Sequence, residues 1–137
     1  MDWYLGTGSG EGQRERLSEV GTMKKLSIPV DVFESERVNS GIRRLILAGM
    51  LKDTPENQMG RVIQAAAGPT WMTLRDLERT VFMMFFVADT QAAISARLRE
   101  VDPKVHGLVK EKRMLKDPDT GKQVYFYRLV AAEEQVA

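Results

Sequence analysis

With 137 residues, 43% apolar and 28% charged, and a formal net charge of +1, the chain has material for one ordinary core and no overall field for a polyanion. It contains no cysteine, which excludes disulfides, cysteine-based zinc sites and thiol catalysis. The longest apolar run, Val81 to Ala88, is far too short to cross a bilayer, and the first residues lack the layout of a secretory signal, so a cytoplasmic location and no membrane partner are expected.

Residues 1–24 read as a flexible tail. Its GTGSGEG stretch, Gly6 to Gly12, is too rich in glycine to order cheaply. No Gly-Lys-Ser/Thr follows and no apolar strand precedes, so it is not a phosphate-binding loop. Trp3, Tyr4 and Leu5 offer docking groups; a non-native extension ahead of a natural start at Met23 is the other reading. Residues 25–56 form an N-terminal strand and helix segment, a candidate for dimerisation. Within it, Lys25 to Phe33 alternates around Pro29 like an edge strand. Ser35 to Leu51 spaces Val38, Ile42, Leu45 and Ile46 as a helix does.

The main domain is expected over residues 57–130, with 131–137 as a frayed tail. Met59 to Ala67 is a short helix stopped by Gly68-Pro69. Thr73 is a good N-cap, with Asp76 three residues on as a capping box, and Leu74, Leu77 and Val81 share one face of the helix Thr73–Met84. Val87-Ala88-Asp89 turns the chain, and Asp89 or Thr90 caps a helix Thr90–Val101 that Asp102-Pro103 ends. The period then changes. His106 to Leu115 and Gln123 to Ala131 read as strands around the turn-rich KDPDTGK, with Asp119-Thr120-Gly121 suited to a hairpin loop. The fold class is therefore mainly α with a C-terminal β-hairpin, α+β.

The third main-domain helix is unusual on its outer side. Ile94, Leu98 and Val101 form the stripe to bury, whereas Ala92, Ser95, Ala96 and Arg99 leave the opposite side nearly bare. Charge is uneven too. Arg97 to Arg128 holds nine Lys/Arg against five Asp/Glu, an excess of +4, while Met1 to Thr70 balances nine against nine. A polyanionic partner or a plainly solvated face accounts equally for that excess.

DTQAAISARLREV followed by GLVKEKRMLKDPDTGKQVYFYRLV, in the order helix, helix, turn, helix, hairpin, resembles the winged helix-turn-helix family of DNA-binding domains over roughly Asn57 to Val130. Small phage and bacterial regulators of that family carry a similar T-Q-A-x-[IV]-S-x-x-[LI]-R-x-L helix and a similar hairpin. The resemblance implies a sequence-specific double-stranded DNA-binding protein, a cytoplasmic transcriptional regulator of phage or mobile-element type acting as a homodimer. Small residues at Ala92 and Ala96 let a helix approach base edges in a groove about 12 Å wide. Thr90, Gln91 and Ser95 hydrogen-bond to bases or phosphates, and Arg99 reaches guanine or phosphate. Arg97 pairs with the DNA backbone. Lys116 and Lys122 flank the wing tip and, with Lys104, complete the DNA-binding set; Lys110, Lys112 and Arg128 face either DNA or solvent.

One stretch departs from the family pattern. VFMMFFVAD stands where the family often has a polar, Gly-containing turn; most of it is expected to be core, covered by Ser35–Leu51 and Met59–Ala67 or by a second chain, and the run and the Ser35–Leu51 helix are the candidates for a dimer interface. The alternative function is a protein-interaction module on the same scaffold, such as a phage factor binding a host protein through Phe82, Met83, Phe85 and Phe86. No enzyme is expected: His106 is the single histidine, no metal or cofactor site is indicated, and no catalytic set emerges.

Overall fold

The computed structural model describes residues 25–52 and 55–132. Five helices precede a hairpin: α1 (Val32–Leu47), α2 (Gln58–Ala66), α3 (Leu74–Phe85), α4 (Gln91–Glu100) and α5 (Pro103–His106), then β1 (Leu108–Lys116) and β2 (Gln123–Ala131). The protein is thus a mixed α+β fold, helices followed by an antiparallel two-stranded hairpin.

Each long helix begins where a short polar side chain can take an orphan backbone N–H. The Asp31 carboxylate accepts from Glu34 N–H at 2.8 Å, and the Asn57 side chain accepts from Gly60 N–H at 2.9 Å. Thr73 and Asp76 form the expected reciprocal capping box, each side chain 3.1 Å from the other's N–H. Burial pulls the Asp76 carboxyl upward, but Lys25 Nζ at 2.5 Å and the Thr73 N–H hold it below the usual carboxylate range. α1 starts earlier than the sequence pattern suggests, because Asp31 caps it. It also stops earlier, at Leu47, with Gly49 turning the chain at φ +79. The 25–31 stretch forms no strand; it runs irregularly and inserts Ile28 beside Trp71 and Phe126. Asp102-Pro103 ends α4 as expected but also starts α5, with Lys104 N–H on the Asp102 carboxylate at 2.9 Å. Gly107 closes that turn at φ +72, where a Cβ would lie 2.8 Å from Leu45 Cδ2.

The hairpin pairs from Leu108 opposite Ala131 to Lys116 opposite Gln123. Side chains alternate across a strand, so its two faces have separate duties. Leu108, Leu129 and Ala131 face the main core, packed with Val62, Ile63, Leu77, Val81, Ile94 and Leu98 from α2, α3 and α4. Phe126 faces the other way, into a smaller core with Ile28 and Trp71, flanked by Leu115 and Val124. The chain between α2 and α3 lies along the outer edge of β2. There Met72 and Tyr127 exchange backbone hydrogen bonds of 3.0 and 2.8 Å, and Gly68 N–H reaches Leu129 O at 3.0 Å.

Arg128, which by sequence faces DNA or solvent, is buried, with 4% exposure. It sits on the Phe126 side of the strand. Nη2 lies 2.5 Å from Glu34 Oε2, Nε 2.7 Å from Glu111 Oε1 and Nη1 2.9 Å from Pro69 O, and the guanidinium stacks 4.3 Å from the Trp71 ring centroid. One planar fork thereby ties α1, the 67–72 segment, β1 and β2 together.

The expectation that most of Val81 to Ala88 is core fails. Val81 is buried and Phe85 half-buried, but Phe82, Met83, Met84 and Phe86 are exposed. α3 shows the core one stripe, Leu77 and Val81, and a helix of 3.6 residues per turn must turn Phe82 and Met83 outward. Phe86 then ends the helix in the left-handed region, at φ 57 and ψ 35, the one non-glycine residue with positive φ among the described residues.

Candidate nucleic-acid interface

α4 is anchored at its start by an interaction between distant parts of the chain. Asp89 is buried, and Arg61 of α2 grips it through Nε at 2.9 Å and Nη2 at 3.0 Å, with Gln58 Nε2 adding a third bond at 3.0 Å. The Arg61 guanidinium holds the Asp89 carboxyl below the usual carboxylate range, against the opposing effect of burial; Gln58 assists. With Asp89 so engaged, Thr90 alone caps the helix, its hydroxyl accepting from Ala93 N–H at 3.1 Å. Gln91 Nε2 donates to Glu78 Oε1 at 2.9 Å and leans toward α3.

Ile94 and Leu98 plant α4 in the core, and the side turned away carries the small residues. Ala92 is exposed, Ser95 and Ala96 are half-exposed, and Arg99 is exposed with Nη1 3.2 Å from Ser95 Oγ. No described segment covers this side, so Thr90, Ala92, Ser95, Ala96 and Arg99 form one accessible strip. Arg97 lies off it and pairs with Glu100 at 2.9 Å. Lys104 is exposed on α5.

The hairpin adds a second surface on the same side. Lys110, Lys112, Met114 and Lys116 share the parity of Leu108, the residue that packs in the core with Ile94 and Leu98. Two of these lysines meet a ring diagonally across the pair: Lys112 Nζ lies 4.6 Å from the Tyr125 ring centroid and Lys110 Nζ 5.9 Å from that of Tyr127. Both ammonium groups are within cation–π reach of a ring, Lys112 the closer. Beyond them Lys116 and Lys122 flank the loop. That loop is closed by Asp117 N–H to Lys122 O at 2.8 Å and by the Asp117 side chain on Asp119 N–H at 2.9 Å. Asp117 is thus bound within the turn and half-buried, while both lysines are exposed.

Sequence reading missed the Lys–Tyr stripe as a unit. The signal was present in strand parity: with Leu108 inward, Lys110 and Lys112 must fall on the α4 side and Arg128 on the other. Applying it required the pairing register, which only the hairpin supplies.

Among the described residues no group of three or more His, Asp or Glu side chains is arranged to hold a metal, and no helix is long and apolar enough to cross a membrane. His106 Nδ1 accepts the Asp102 N–H at 3.0 Å and closes the α5 turn. Comparison of the chain with protein-family models, with curated proteins and with solved structures found no match.

Proposed function

We propose that the protein is a winged helix-turn-helix module that binds double-stranded DNA sequence-specifically, with α3 and α4 as its helix pair and the hairpin as its wing. In this reading it is a cytoplasmic regulator of transcription of the phage or mobile-element type. The observation that carries the reading is the common orientation of two surfaces: the small-residue strip of α4 and the Lys110–Lys112–Lys116 stripe lie on one side of the hairpin. A duplex offers the matching pair, a groove that admits a helix and a phosphate ridge beside it. Ala92 and Ala96 permit close approach, Ser95 and Arg99 hydrogen-bond to base edges, and Lys110, Lys112, Lys116 and Lys122 neutralise phosphate.

Fluorescence anisotropy against a duplex pool at low and moderate salt tests this. Binding should weaken steeply as salt rises, the slope reporting the number of phosphates neutralised. Arg99→Ala should weaken binding to a selected sequence by roughly tenfold or more while leaving the melting temperature unchanged. Absence of salt-sensitive binding overturns the proposal.

A second reading, a protein-interaction module on the same scaffold, is favoured by one observation, the exposed Phe82, Met83 and Phe86 on α3. It predicts salt-insensitive capture of a protein and no affinity for duplex.

A further inference from the structure

We infer that the outward stripe of α3 is the surface on which a second copy of this chain docks. The stripe runs Arg75, Arg79, Phe82, Met83, Phe86, residues that helical spacing aligns opposite the buried Leu77 and Val81. Phe82 is 49%, Met83 69% and Phe86 79% exposed, and Phe82 and Phe86 meet edge to face with ring centroids 6.2 Å apart. These three side chains leave on the order of 400 Å² of apolar surface in water, as much as the largest patch on an ordinary monomer. The stems of Arg75 and Arg79 and the 87–88 turn extend that footprint toward the roughly 800 Å² per partner of a stable interface.

The order of residues along the stripe selects the occupant. Cations stand at its start and aromatic rings at its end. Arg75 and Arg79 have no partner among the described residues. A copy of the same helix laid antiparallel across it, with Phe82 of each chain against Met83 of the other, sets each Arg79 over the opposite Phe86. Both ends are then satisfied at once by cation–π contact, as a two-fold interface requires. A helix apolar along its whole length would leave both arginines without a counterpart. Phe86 adds a second argument: a phenylalanine in left-handed backbone, four-fifths exposed, contributes nothing to the core that would offset its strain. The strip of α4 carrying Ala92, Ala96 and Arg99 contributes no residue to this stripe.

Sedimentation velocity on the full chain, without DNA and from low to high micromolar concentration, tests this independently of the nucleic-acid reading. The wild type should sediment at about twice its 15.5 kDa mass. Phe82→Glu combined with Met83→Glu should be monomeric throughout, with the circular dichroism spectrum of the wild type, since both side chains are exposed. Arg79→Ala should raise the dimer dissociation constant by roughly tenfold, the effect of losing one interface anchor. A wild type that stays monomeric, its stripe then left to another protein or to the chain's own terminal residues, overturns the proposal, and so does a double variant that remains dimeric.

Discussion

Arg99 and Arg128 are the same residue type on neighbouring elements and have opposite fates. Arg99 stands in water beside Ser95; Arg128 is enclosed by two carboxylates, a carbonyl and an indole. Arg128→Ala should therefore destabilise the fold by about 2–4 kcal/mol, less than for a sealed ion pair because Glu34 and Glu111 can rehydrate. Urea unfolding checks this, and Arg99→Ala should fall within about 0.5 kcal/mol of wild type in the same assay. Nothing in the sequence around Arg128 separates it from a solvent-facing strand cation. Its partners lie on α1 and in the 67–72 segment, and its side is decided by register. Asp89 was equally hidden, since Arg61 lies far away along the chain and a carboxylate before a helix ordinarily reads as a cap. Its pH response follows from its depressed pKa. The fold favours the ionised form, so the stabilisation is complete above the unfolded value near 3.8 and disappears as pH falls through the lower folded value. Between about pH 5 and pH 2 the wild type should lose urea resistance more steeply than Asp89→Asn, a difference that titration of the unfolding midpoint will reveal.

Helices and strands were legible to the degree that their signals were local. The Thr73–Asp76 capping box, the Asp117–Lys122 loop and the limits of α4 are set by residues within a few positions of one another, and sequence spacing located them. The exposure of the last turn of α3 was not. An eight-residue apolar run reads as core when helical phase is ignored, and no side-chain property announces that Phe86 will take the conformation usually left to glycine. Here the element yields its own prediction. Phe86→Gly should stabilise the monomer by roughly 0.5 kcal/mol, relief of left-handed strain outweighing the loss of one exposed edge-to-face contact with Phe82. Thermal melts at a concentration low enough to exclude self-association will measure the gain. The same change removes the ring over which Arg79 of a partner would sit, so stability and dimerisation should move in opposite directions.

Across the whole molecule, one hairpin separates two cores, and Arg128 binds the smaller side while Leu108 and Leu129 bind the larger. This arrangement aligns the surface of α4 with the lysines of β1. It also leaves the hairpin asymmetric. The outer edge of β2 is taken by the Met72 backbone, whereas among the described residues β1 pairs with β2 alone. Exposed strand margins of this kind recruit foreign strands and seed fibrils unless something repels the newcomer. Lys110, Lys112 and Lys116 hold three of the four outward positions from 110 to 116 along that margin, with Met114 the exception, so two such hairpins sliding together would bring like charges close to one another. The cations proposed to meet phosphate are thereby also placed to keep the chain from polymerising through its own unfinished sheet.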